Sequence, residues 1–109
     1  MVKLIYCLNR RSGLLVEEFQ SYWREVHGPI AAKIAGLRRY VQSHVLPSTY
    51  ASTFVPPYDG VAELWFDDLE SFQRAVASAE MMAAREDERN FIDHGRIAIL
   101  LSEEKVIVG

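Results

Sequence analysis

The sequence reads as an α+β domain with the element order β-α-β-β-α-β, and three observations carry that reading. β-rich runs occupy Val2–Leu8, Leu37–Leu46, Val61–Phe66 and residues 95–108. Between the first and second runs, EEFQSYWREVHGPI (Glu17 to Ile30) places Phe19, Tyr22, Trp23, Val26 and Ile30 at steps of three and four, the spacing of one helix face. After the third run, Leu69, Phe72, Val76 and Ala79 repeat a helical spacing.

Taken in order, Val2–Leu8 ends at the polar turn Arg10-Arg11-Ser12-Gly13. The first helix starts near Leu15 or Val16, where Glu17 and Glu18 suit the positive end of its dipole. It is expected to run past Gly28-Pro29 to Ile34 and to stop at Gly36. Pro29 lacks an N–H and crowds the carbonyl of Glu25, so the helix is irregular there. His27 lies one turn beyond Trp23, on or beside the apolar stripe.

Leu37–Leu46 alternates between two faces. Leu37, Val41 and Val45 share one with Arg39 and Ser43; Tyr40, Gln42, His44 and Leu46 share the other. The second set is too polar for a helix-packed core and too aromatic for ordinary exposure, which suits a wet pocket. Pro47–Tyr58 carries three prolines and no period, and is expected to fold over a ligand or a partner subunit. Val61–Phe66 sets Ala62, Leu64 and Phe66 against Val61, Glu63 and Trp65. Asp67 or Asp68 caps the second helix, Asp67 with Glu70 matching a capping box. Met81 to Phe91 continues as a third helix or an extension of the second. In the last strand the apolar Ile97 to Leu101 precedes Ser102-Glu103-Glu104, a bulge or a break.

This order is the ferredoxin-like plan, a four-stranded antiparallel sheet with both helices on one face. The other face is left bare, with a footprint on the order of 300–400 Å². That is about as much contiguous apolar surface as a monomer exposes. A homodimer, closed through the open sheet face, is the expected outcome.

Composition narrows the rest. At 109 residues the chain suits one domain, residues 1–109, and its apolar fraction of 50% fits burial against a second copy. The net charge of −3 is interspersed, so nucleic acid is not expected. No run reaches the length of a membrane span, and MVKLIYCLNRR reads as a strand rather than a signal peptide. The single cysteine, Cys7, excludes an internal disulfide, fits a cytoplasmic location, and reads as a small buried hydrophobe. The histidines show no metal-ligand spacing, so neither metal nor cofactor is expected.

Over nearly the whole chain, EEFQSYWREVHGP, GLRRYVQSHV, YDGVAELWFDDLESF and DERNFIDHGR together resemble the EthD family. That family is named for a small protein encoded with a bacterial ethyl tert-butyl ether degradation system. The resemblance implies a dimeric α+β barrel in which two ferredoxin-like sheets close on each other. Similar proteins include lactone isomerases of aromatic catabolism and dehydratases or decarboxylases of polyketide pathways. In these relatives a histidine on the first helix is implicated in proton transfer, and His27 matches it. Asp87, Asn90, Phe91 and Asp93 match the family's motif before the last strand and are read as structural. Leu15 departs from the Ser or Thr cap usual in relatives.

The candidate catalytic residues are therefore His27 as general acid/base, with Glu63 or His44 assisting. Tyr40, Gln42, Trp65 and Tyr6 are the candidate pocket lining for a small apolar or aromatic ligand. His94, in a turn, is given no role. The function expected is cofactor-independent isomerisation, dehydration or decarboxylation of a small carbonyl, lactone or phenolic compound. The alternatives are an accessory ligand-binding protein of an oxidoreductase system and a cofactor-free or haem-using monooxygenase. Because the cavity is expected on the open sheet face, His27 would have to reach it from the helix end; sealed under the sheet, it would lose the catalytic reading.

Overall fold

A computed structural model describes residues 1–109. In chain order the elements are β1 (Val2–Leu8), α1 (Val16–Tyr22), a π-helical turn (Trp23–His27), α2 (Gly28–Ala31), β2 (Arg39–His44) and a 3₁₀ turn (Pro47–Ala51). There follow β3 (Gly60–Phe66), α3 (Leu69–Val76), α4 (Ala79–Asp87), a second 3₁₀ turn (Glu88–Asn90) and β4 (Ala98–Ser102). The four strands are antiparallel in the order β2-β3-β1-β4, the ferredoxin-like arrangement. No helix is long and apolar enough to cross a membrane.

The helix irregularity has a defined form. The Gly28 N–H bonds to the carbonyl of Trp23, five residues back, which is a π-helical bond beside the proline that can donate none. A π turn advances each residue by less than the about 100° of an α-helix. The step from Trp23 to His27 therefore nearly closes a turn, and Phe19, Trp23, His27 and Ala31 all face inward and are buried. Val26, placed on the stripe by the α-helical period, is instead 43% exposed. The other helix ends follow capping chemistry. The Leu15 N–H donates to Glu18 Oε1 at 2.9 Å, half of a capping box that leucine cannot complete. Asp68, not Asp67, caps α3 by accepting from Ser71 N–H at 2.7 Å, while Asp67 pairs with the Arg38 guanidinium at 3.0 and 2.7 Å. Ala75 is the fully buried residue of α3, and Leu69 is 50% exposed. Ser78 caps α4, so that helix begins earlier than the expected Met81.

Register decides which strand faces belong together, since residues directly opposite in an antiparallel pair share a face. Tyr40 pairs with Leu64 and Gln42 with Ala62; Leu64 and Ala62 pair in turn with Leu4 and Tyr6. These line the helix-covered side. Glu63 pairs with Val41 and Ile5, and Trp65 with Arg39 and Lys3, on the open side. The polar face of β2 is accommodated under the helices because it satisfies itself. The Gln42 amide donates to the Trp23 carbonyl and to the Tyr40 hydroxyl, both at 2.8 Å, and its oxygen accepts from His44 Nε2 at 2.8 Å. His44 also stacks on Trp23, with ring centroids 4.4 Å apart. Trp23 lies so close to β3 that a Cβ at Gly60 would sit 2.5 Å from its ring.

Pro47–Tyr58 turns back onto its own chain, with the Tyr50 hydroxyl donating to Asp59 at 2.6 Å, while Phe54 and Val55 stay exposed. β4 ends at Ser102, so the last strand is shorter than the expected run to residue 108; Val106, Ile107 and Val108 lie exposed beyond it.

Candidate functional site

Between the helices and the sheet lies a cavity of about 430 Å³, within the range of small-molecule sites. Its sheet wall is Leu4, Tyr6, Leu8, Tyr40, Ala62 and Leu64; its helix wall includes Trp23, His27, Ala31, Met81 and Ala84. The lining extends to the exposed residues Arg85, His94 and Ile99, where the cavity meets solvent. The cavity is thus on the helix-covered side of the sheet, not on the open face where the sequence reading put it. His27 does sit under the sheet, 6% exposed, yet it faces this cavity directly and needs no path round a sheet edge.

His27 is held from behind. Its Nδ1 lies 2.8 Å from Asp87 Oδ2. Asp87 Oδ1 accepts from the Tyr22 hydroxyl at 2.6 Å and from the Asn90 amide at 3.2 Å. Phe91 packs against the imidazole, with centroids 4.7 Å apart. An ionised carboxylate only accepts, so the proton of a neutral His27 is on Nδ1. Nε2 has no hydrogen-bond partner within the chain. Burial pushes the Asp87 carboxyl up, but the bonds from Tyr22, His27 and Asn90 together hold it below the usual carboxylate range. Burial likewise raises the phenols of Tyr22 and Tyr40, which keeps both as O–H groups.

A second polar cluster sits on the sheet side. The Tyr6 hydroxyl donates to Glu88 Oε1 at 3.2 Å, and His94 Nε2 lies 3.0 Å from the same oxygen. Burial, with Glu88 beside it, pushes the Tyr6 phenol well above its ordinary range.

Of the residues singled out in the sequence, His27, Tyr40 and Tyr6 meet at the cavity. Gln42 and His44 do not line it; they face a separate polar groove with Gln20, Ser21, Arg24 and Glu25, where burial and the Arg24 charge lower the His44 pKa. Glu63 and Trp65 lie across the sheet from His27 and form no part of its surroundings. Glu63 accepts from the Lys3 ammonium at 2.8 Å, and the Trp65 indole N–H donates to Glu104 at 2.6 Å with Arg39 over its ring. Alternation sorts the faces of β2 and β3 properly, but it cannot say that their two polar faces belong to opposite sides of the sheet, which the register puts back to back. No group of three His, Cys, Asp or Glu side chains converges to hold a metal.

Asp87, Tyr22 and Glu88 were not singled out as site residues. A signal for the two acids was present in the sequence. They sit at the C-terminal end of a helix, where the dipole disfavours negative charge, and such a local conflict marks positions held by something else.

A model of the EthD domain matches residues 11–95. Among solved structures, the chain is similar to an ethyl tert-butyl ether (EthD) family protein from Bacillus halodurans C-125, at 26% identity and a TM-score of 0.78, covering 96% of this chain and 99% of that one. It is similar in fold to a dimeric protein from Bacteroides fragilis NCTC 9343 (19% identity, TM-score 0.67, 94% and 95% covered). A further similarity is to SnoaB, a cofactor-independent oxygenase from Streptomyces nogalater (15% identity, TM-score 0.64, 98% and 97% covered). No curated protein sequence matches the chain.

Proposed function

The chain belongs to the EthD family, and from that premise we propose that it binds a small, largely apolar carbonyl, lactone or phenolic compound between helices and sheet and moves a proton on it through His27. The observation that supports this reading is the 2.8 Å contact of His27 Nδ1 with a carboxylate that Tyr22 and Asn90 also hold, on the wall of an apolar cavity. With Nδ1 protonated toward Asp87, Nε2 offers its lone pair as a base. The imidazolium that forms is stabilised by the carboxylate behind it. The Tyr40 hydroxyl supplies a donor for the substrate oxygen on which charge develops. Taking a proton from carbon or oxygen and returning it elsewhere is the common step of isomerisation, dehydration and decarboxylation.

The fold shared with a cofactor-independent oxygenase favours a second reading, in which the anion formed by the same base reacts with dioxygen. Oxygen uptake separates the two. We also propose a homodimer closed through the open sheet face, where Ile5 pairs with Leu100 and Val61 with Cys7, and where Val41 lies one strand further across Glu63. The dimeric Bacteroides relative supports it.

Exchange of the methyl protons of acetophenone in deuterium oxide, followed by NMR, tests the base without knowledge of the natural substrate. The protein should accelerate exchange, and His27→Gln should lower the rate at least about a hundredfold. Equal rates for both proteins would refute the assignment.

A further inference from the structure

We infer that Glu88, set by Tyr6 and His94, is a second binding station in the cavity that accepts a hydrogen bond from a hydroxyl of the ligand, so that the ligand class is a carbonyl compound bearing a second, hydroxyl function. The inference rests on the cavity-binding half of the proposed function and not on its proton transfer.

Three observations carry it. The Glu88 side chain lines the cavity and is only 15% exposed, an unusual place for a carboxylate. Both hydrogen bonds it makes, from Tyr6 and His94, fall on Oε1, and Oε2 has no partner within the chain. A mostly buried carboxylate with an open oxygen is an acceptor and nothing else, so the group that completes it is a donor. The placement is also paired with that of its neighbour. Asp87 and Glu88 are consecutive at the end of α4, and Asp87 turns to His27 on the helix wall while Glu88 turns to Tyr6 on the sheet wall. One stretch of backbone thus equips both walls of a mainly apolar space whose mouth also carries Arg85 and His94. A ligand held at one wall only would leave the other station to water.

Isothermal titration with acetophenone, para-hydroxyacetophenone and para-methoxyacetophenone tests the station. The hydroxy compound should bind the protein about tenfold tighter than acetophenone, or about 1.4 kcal/mol. The methoxy compound, which has the oxygen but no proton to give, should show no such gain. Glu88→Gln keeps an oxygen for Tyr6 and puts an NH₂ donor in place of the open one, from which a hydroxy or a methoxy oxygen can accept; in it the hydroxyl preference, read as hydroxy over methoxy binding, should fall to within about twofold. Preserved preference in Glu88→Gln, or methoxy binding as tight as hydroxy binding, would overturn the inference. The ligand comparison decides the matter on the unaltered protein if the variant does not fold. Absence of binding by all three compounds would overturn both this station and the cavity-binding reading. Binding with the expected preference but without proton exchange would remove only the proton-transfer reading.

Discussion

Replacing Asp87 by Asn keeps the shape of the side chain and removes one of two acceptor oxygens. In the protein, Oδ2 faces His27 Nδ1 at 2.8 Å, and Oδ1 faces Tyr22 at 2.6 Å and Asn90 at 3.2 Å. An amide has a single oxygen, so one of these sides must meet an NH₂ group. If the NH₂ turns to His27, the ring must shift its proton to Nε2, and the cavity loses its base. If it turns to Tyr22, the phenol loses a 2.6 Å acceptor in a half-buried place. Either way a hydrogen bond to a charged group is lost, at a cost of about 1.5–3 kcal/mol. For a domain of this size that lowers the melting temperature by roughly 10 °C. Nitrogen NMR of the imidazole reads the tautomer, thermal unfolding reads the stability, and acetophenone exchange reads the chemistry; the last should fall at least about tenfold. The sign with pH is also set. The Asp87 carboxyl is held below its ordinary range, because the hydrogen bonds from Tyr22, His27 and Asn90 outweigh the upward push of burial. Its stabilisation is therefore complete above about pH 4 and is lost as the pH falls through its folded value. The stability gap between the protein and Asp87→Asn should shrink toward pH 3. An unchanged tautomer and melting temperature in the variant, or a gap that widens on acidification, would refute the account of how His27 is held.

Gly60→Ala should destabilise by about 2–3 kcal/mol in denaturant titration, because its Cβ would meet the buried Trp23 ring at 2.5 and 2.7 Å and the Ser43 carbonyl at 2.9 Å. A loss below about 0.5 kcal/mol would mean that Trp23 does not lie on that glycine. Leu100→Arg puts a charge on the open sheet face beside Ile5 and should convert the proposed dimer to monomer in light scattering. A variant that stays dimeric would place the interface elsewhere.

The sequence alone determined the β-α-β-β-α-β order, the bounds of β1, the division of β2 and β3 into two faces each, and the position of His27 one turn from Trp23 next to a helix irregularity, which the structure places at Trp23–His27. All of these follow from short-range geometry. The two-residue repeat of a strand, the turn of a helix and the missing N–H of Pro29 are properties of neighbouring residues. Tertiary structure decided what lies opposite what. The pairing of Tyr40 with Leu64 put Tyr40 on the helix side and left Glu63 and Trp65 behind the sheet, and no periodicity within a strand encodes that register. The partner of His27 is 60 positions away along the chain, brought to 2.8 Å only when α4 packs against the first helical layer. His27 was legible as an oddity on a core stripe; that it has a carboxylate behind it and a cavity in front of it is a consequence of packing.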